Sequence, residues 1–331
     1  MMYAVLSRSL LSFLTAFAAA ALLGVAAVPV LRSVYFGAGS GKAARAEKSV
    51  PSMGGIVILA AVIAASLFWG RDSYALILIA LLAAGLFGLL GFADDFIGVL
   101  RRTSAGLLPW QRLIAEGILA LGISILLYRA PGVGGTLWLD RLDIGPFYIP
   151  FAAAVILATV NAVHLTDGLD GLAPTVTGVY SLFMGALLCI AVVCAAPSAS
   201  PDRLLSLSAL SVFSTAVAGG CIGFLVQGAF PARLKPGRTG TFALGGAIAA
   251  TSLLSGTAPL LPLMGICFWA SAISVILQAI SLRADNTLLK EAPLHQHFLR
   301  SGVAAPRIVS MYGIITCVFS AAALLLYWFF K

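Results

Sequence analysis

The chain has 331 residues, 61% of them hydrophobic and only 10% charged, with a mean hydropathy of +1.05. Soluble domains carry about 25% charged residues, so this chain lacks the polar surface to cover a water-facing globule, and lipid must be the solvent for most of it. The net charge of +8 sits in short loops between apolar runs, which points to membrane orientation and anionic lipid or substrate, not to nucleic acid.

The predicted fold class is all-α integral membrane, a single polytopic domain over residues 1–331 with about ten spans in one bundle. Apolar runs lie at 10–31, 54–70, 74–93, 111–128, 147–163, 174–196, 204–227, 242–260, 262–282 and 307–330. Each approaches the ~20 residues that a helical span requires. The first run follows Arg8 and is too long for the apolar core of a signal peptide, so it reads as a span. The stretch from Thr136 to Asp143 is too polar to span. It alternates weakly and ends at Gly145-Pro146, which suggests a small extracytoplasmic hairpin near 136–146. Pro259 and Pro262 leave the eighth and ninth runs readable as two helices or one broken helix. The five cysteines lie in apolar stretches without CxxC or Cys/His spacing and read as small buried hydrophobes.

Basic residues divide unevenly between the two sets of loops. About 14, from Arg32 to Arg307, fall on one side and about 6 on the other. The richer side is therefore expected to be cytoplasmic, with both termini outside. The carboxylates follow the same split: Asp94, Asp95, Asp167, Asp170, Asp285 and Glu291 lie near helix ends on the basic side. Carboxylates beside a membrane interior are costly and usually functional. In the block Asn161-Ala-Val-His-Leu-Thr-Asp167-Gly-Leu-Asp170-Gly-Leu, the two aspartates are three apart and would share a helix face. Its glycines permit close approach of backbone or phosphate. Four carboxylates at one membrane face suit Mg²⁺, which takes oxygen ligands and leaves positions for substrate phosphates. The loop from Phe230 to Gly240 carries Arg233, Lys235 and Arg238 among glycines and prolines. It could cradle an anion or simply obey the inside-positive bias. His295 and His297 sit two apart in a further loop, and His164 is the third histidine.

Five segments occur in order: Pro51-Ser-Met-Gly-Gly55, Gly91-Phe-Ala-Asp-Asp95, Asn161 to Ala173, Gly237-Arg-Thr-Gly240 with Ala243-Leu-Gly-Gly246, and Pro293-Leu-His-Gln-His-Phe298. Together they resemble the cytoplasmic motifs of the phospho-N-acetylmuramoyl-pentapeptide transferases, within the polyprenyl-phosphate N-acetylhexosamine-1-phosphate transferase superfamily. The resemblance covers essentially the whole chain. It implies a phosphoryl transfer in the bacterial cytoplasmic membrane: undecaprenyl phosphate attacks the sugar-linked phosphate of UDP-MurNAc-pentapeptide, giving lipid I and UMP. It implies Mg²⁺ as cofactor, with Asp94, Asp95 and Asp167 as metal ligands and catalytic groups and His295 as a further catalytic group. Lys48, Arg112, Asn161, His164, Asp170, Arg238 and His297 would contact substrate. Membrane lipid is the surrounding partner, and a homodimer is left open.

Several polar motif positions depart from that pattern. Arg238 stands where the family has a metal-binding aspartate, and a guanidinium cannot ligate Mg²⁺. Glu47 and Gly98 replace lysines, His164 an asparagine and Gln296 a histidine, while Arg112 keeps a positive charge at a usual lysine position. Two readings follow: a divergent transferase, or a pseudoenzyme in which Arg238 is a tethered cation and which binds lipid carrier, nucleotide or a cell-division partner. A transporter is less consistent, because the charges gather at one face instead of the bilayer midplane.

Overall fold

The computed structural model describes residues 2–36, 50–101, 106–130, 136–137, 142–195, 200–283 and 288–330. The described chain is a bundle of helices: α1 (Met2–Phe36), α2 (Gly55–Trp69), α3 (Tyr74–Arg101), α4 (Pro109–Tyr128), α5 (Tyr148–Thr166), α6 (Leu172–Ala195), α7 (Pro201–Gly228), α8 (Gly237–Leu254), the short α9 (Leu261–Met264), α10 (Ile266–Arg283), the short α11 (Leu294–Arg300) and α12 (Ala305–Phe330). Eight of these are long and apolar enough to cross a membrane. The other two at predicted runs are α2, which has 15 residues, and α8, which is rich in Gly, Ala, Ser and Thr. The chain is thus an all-α, multi-pass membrane protein. Its one described β element pairs Thr136 with Asp143 and Leu137 with Leu142 antiparallel, at the predicted hairpin.

Helices α7 and α8 form the centre. Every residue of α8 from Thr239 to Leu254 is buried, packed among α3, α5 and α2, while α7 is enclosed by α1, α6 and α2. Small side chains explain why α8 can lie there. In lipid, helices gain from close backbone approach, and Gly and Ala permit it. The outer helices carry the large exposed apolar side chains, among them Leu22 on α1, Ile118 on α4, Ile276 on α10 and Leu325 on α12. Such surfaces are stable only against lipid. Cys221 and Cys267 are buried as expected, but Cys189 and Cys194 are only partly buried and Cys317 is exposed on α12. It is an apolar residue of the lipid-facing surface and not of the core.

Two helix boundaries differ from the apolar runs for the same reason. Helix α3 continues past 93 to Arg101 with Asp94 and Asp95 inside it, and α8 starts at Gly237 instead of 242. Hydropathy ends a run at the first charged residues, whereas a helix continues where those charges find partners. The pair Pro259 and Pro262 coincides with a real break: a 3₁₀ turn (Ala258–Leu260) and α9 separate α8 from α10.

A buried helix must satisfy its terminal backbone groups without water. At the C-terminal end of α8, Arg203 is 8% exposed. Its guanidinium donates to the carbonyls of Leu254 at 3.3 Å and Ser255 at 3.0 Å, where a positive charge also complements the helix dipole. Nearby, Arg8 of α1 is ion-paired with Asp72, which also accepts from Ser208 Oγ at 2.5 Å, tying α1, α7 and the α2–α3 turn together. Arg203→Ala is expected to destabilise the protein by roughly 2–3 kcal/mol, the worth of charged hydrogen bonds to otherwise unserved carbonyls. Thermal unfolding in detergent micelles reads this. An unchanged midpoint would show that water replaces the guanidinium.

Candidate active site

The N-terminus of α8 organises the basic end of the bundle. Residues 51–55 run beside the segment that leads into α8: Lys235 N donates to Pro51 O, Gly54 N to Lys235 O and Gly55 N to Pro236 O, each at 2.9 Å. The approach is so close that a Cβ on Gly55 would lie 2.1 Å from Gly240 N. Gly237, at φ +69°, turns the chain into the helix, a conformation glycine adopts without strain. Asp95 of α3 then caps it. Asp95 Oδ1 accepts from Arg238 N at 3.3 Å, and Oδ2 accepts from Thr239 N at 3.0 Å and Thr239 Oγ1 at 2.8 Å. Both carboxylate oxygens of Asp95 are engaged in holding α8.

Beside this cap lies a chain of alternating charges drawn from three helices, α3, α8 and α4, and held by polar side chains of a fourth, α5. Asp94 is fully buried and accepts from Leu107 N at 2.5 Å through Oδ1. Its Oδ2 lies 3.2 Å from Arg238 Nε and 4.0 Å from an Arg112 terminal nitrogen. These are ion pairs without hydrogen-bond geometry at Oδ2. Arg112 Nε in turn lies 3.5 Å from Glu116 Oε1, one turn along α4. Asn161 of α5 donates to Glu116 Oε2 at 2.6 Å and to Leu157 O at 3.0 Å. His164, one turn further on α5, shares a 3.2 Å hydrogen bond with Thr241 Oγ1 and stands edge-on to Phe242, ring centres 5.1 Å apart.

The turn between α5 and α6 completes the site. Asp167 follows the last residue of α5, and burial raises its pKa to about 7, with Lys235 opposing the rise and the charges of Asp95 and Asp170 adding to it. Asp170 lies 3.6 Å from Lys235 Nζ and accepts from Ala232 N at 3.2 Å. It also lines a cavity of about 550 Å³ with Arg32, Arg233, Gln227 and Pro29. His295 of α11 is 1% exposed and packs on Gly168 so tightly that a Cβ there would lie 2.2 Å from its Nε2. His297 instead accepts from Lys290 N at 3.1 Å and serves its own loop. That loop is tied to α10, where Gln278 exchanges hydrogen bonds with Leu289 N and O at 2.9 and 3.2 Å, and Ser274 Oγ accepts from Leu294 N at 2.9 Å.

Burial pushes the His295 pKa down to about 4, with Glu291 pulling it up. A histidine held neutral in the fold contributes stability that is complete above its unfolded pKa of about 6.5 and is lost as pH falls toward 4. The loss is about 2 kcal/mol by pH 5. Asp167 acts in the opposite sense, since its raised pKa relieves a cost as pH falls over the same window. The difference between wild type and His295→Gln therefore isolates the histidine. The variant should show a flatter fall in unfolding midpoint between pH 7.5 and 5, and parallel curves would contradict the assignment.

The sequence as a whole is similar to known proteins. Residues 77–256 match the family model described as glycosyl transferase family 4. The chain is 35% identical over 321 residues to a phospho-N-acetylmuramoyl-pentapeptide-transferase of Caldanaerobacter subterraneus subsp. tengcongensis, covering 95% of this chain and 96% of that protein. It is 32% identical over 314 residues to the protein of the same name from Clostridioides difficile, covering 92% and 93%. The Heliobacterium modesticaldum protein of that name is 35% identical over 329 residues, covering 95% and 96%. The chain belongs to the phospho-N-acetylmuramoyl-pentapeptide transferase family.

The carboxylates at this end of the bundle are largely engaged by the protein itself. Mg²⁺ needs open carboxylate oxygens. Here Asp94 faces Leu107 N and two guanidinium groups, Asp95 caps α8, and Asp170 is paired with Lys235. Among the described residues, no three His, Cys, Asp or Glu side chains form a metal-holding group. Of the three expected ligands, Asp94 and Asp95 are already engaged, and Asp167 by itself does not make a carboxylate set that fits the ion the resemblance implies. Of the other site residues read from the sequence, Arg112, Asn161, His164, Asp167, Asp170, Arg238 and His295 converge on this end of the bundle. Lys48 lies outside the described residues, as do Glu47 and Asp285. Glu116 escaped the motif-based reading altogether. A glutamate inside the apolar run 111–128 was the available signal, because an intramembrane carboxylate demands a partner.

Proposed function

We infer that this chain transfers phospho-MurNAc-pentapeptide from its UDP carrier to undecaprenyl phosphate, releasing UMP and forming lipid I. The setting is the bacterial cytoplasmic membrane, with the basic face in the cytoplasm, both termini outside and a homodimer as the assembly to be tested. The observation that carries this reading is the meeting of the α3 aspartates, the 161–170 block, the start of α8 and His295 at one end of the bundle. In the transfer, an oxygen of the lipid phosphate bonds to the sugar-linked phosphorus, and the bond from that phosphorus to the bridging oxygen breaks. The leaving group is the UMP phosphate. Asp167, with its pKa raised to about 7, is suited to hold a proton from the attacking phosphate at neutral pH. The cavity beside Asp170, with Arg32 and Arg233 in its wall, has the size and charge for a nucleotide.

A second reading has its own observation. Arg238 stands 3.2 Å from Asp94 Oδ2, which favours a family member that binds lipid carrier, nucleotide or a division partner without turnover. The two are separated by purified protein supplied with UDP-MurNAc-pentapeptide and undecaprenyl phosphate, with UMP release measured in the presence and absence of Mg²⁺. Release that falls at least 10²-fold in Asp167→Asn supports the transferase. Binding of both substrates with no UMP release supports the second reading.

A further inference from the structure

The charged chain around Asp94 has a polarity of its own. The side chains of Asp94 and Glu116 are 1% exposed, whereas those of Arg112 and Arg238 each keep 25% of their surface open. The carboxylates form the floor and the guanidinium groups the face. Both guanidinium groups converge on one oxygen, Asp94 Oδ2, and Glu116 steadies Arg112 from the other side while being held by Asn161. The four side chains sum to zero formal charge, which is the condition for keeping charges out of water at tolerable cost. A metal site has the reverse layout, with carboxylate oxygens facing the ligand. Two partly open guanidinium groups that converge on one point match the geometry of phosphate oxygens.

We propose that Arg112 and Arg238, positioned by Asp94 and Glu116, take a phosphate or diphosphate group directly, with no divalent cation between protein and ligand. This rests on the transferase-family reading of the site and adds to it the means by which the anion is held. Glu116 is a positioning residue, acting through Arg112. Arg238 does two things at once: it neutralises Asp94 and it presents a fork to the ligand. The ligand chemistry is shared by the nucleoside diphosphate and by the lipid phosphate head group, and the experiment distinguishes them.

The test uses the full chain in detergent micelles and isothermal titration. UDP is compared with uridine, and undecaprenyl phosphate with undecaprenol, each in EDTA and with Mg²⁺. Wild type is expected to bind the phosphorylated member of at least one pair with affinities that agree within about twofold in the two buffers. The pair that responds identifies the source of the phosphate. Arg238→Gln and Arg112→Gln should each weaken that binding by about 10- to 100-fold, the worth of one charged hydrogen-bonding partner. Arg238→Gln alone leaves a net buried negative charge and is expected to lower the unfolding midpoint. Glu116→Gln combined with Arg238→Gln restores neutrality and should recover stability without recovering binding, which separates the structural role from the ligand role. Wild-type binding that appears only with Mg²⁺ would overturn the proposal and leave the transferase reading standing. So would unchanged affinity in Arg238→Gln or in the double variant. Absence of phosphate-dependent binding in every arm would overturn both.

Discussion

Arg238→Asp is expected to raise the affinity of the purified protein for Mg²⁺ by about 10³-fold. The guanidinium lies 3.2 Å from Asp94 Oδ2 and so stands where a cation ligated by Asp94 would be. Two unit charges about 4 Å apart interact by roughly 4 kcal/mol at an effective dielectric near 20, and each 1.4 kcal/mol is about tenfold in binding. The substitution removes one repulsive charge and adds a ligand oxygen, so both changes act in the same direction. It also leaves Asp94, Glu116 and the new aspartate with only Arg112 for balance. The variant should therefore unfold at a lower temperature in EDTA and regain stability as Mg²⁺ is added, in proportion to ligand occupancy. A wild-type midpoint that does not respond to Mg²⁺, beside a variant midpoint that does, is the expected pair of curves. Strong Mg²⁺-dependent UMP release by the wild type, abolished in Arg238→Asp, would instead make Arg238 a working catalytic residue and end the pseudoenzyme reading.

Asp95→Ala is expected to lose about 4 kcal/mol or more of stability, placing it among the largest single-residue effects. Three donors at the start of α8 point at the two Asp95 oxygens, and all three lose their charged acceptor at once. Asp95→Asn tells more. An asparagine offers one acceptor oxygen and places an NH₂ group against backbone N–H donors. It should lose about half of that stability although it is nearly the same shape. Thermal unfolding of the two variants, with UMP release or UDP binding measured on the folded fraction, provides the comparison. If Asp95 acted only on metal or substrate, Asp95→Asn would unfold like the wild type and lose function alone.

The membrane character was plain from composition, because a chain with 10% charge has no other stable solvent arrangement than lipid. The helical segments could be placed for the same reason: each must bury about 20 apolar residues in succession. The motif order identified the family, and the overall match over 95% of the chain agrees. Helix ends depart from the apolar runs where polar residues find partners. Asp94 and Asp95 sit inside α3 and Arg238 inside the first turn of α8, which hydropathy cannot foresee because it scores residues singly.

What tertiary structure alone decided is which carboxylate faces which partner. Asp94 and Asp95 are adjacent in sequence, so successive positions on α3 point them about 100° apart. One meets Arg238 and Arg112, and the other meets the backbone of α8. Their roles diverge although the motif treats them as a pair. Glu116 and Asn161 are 45 residues apart and meet only because α4 packs on α5. Sequence alone determines which charges the lipid must make costly. Packing determines how they neutralise one another, since Coulomb energies depend on distances of a few ångströms that only the folded bundle sets.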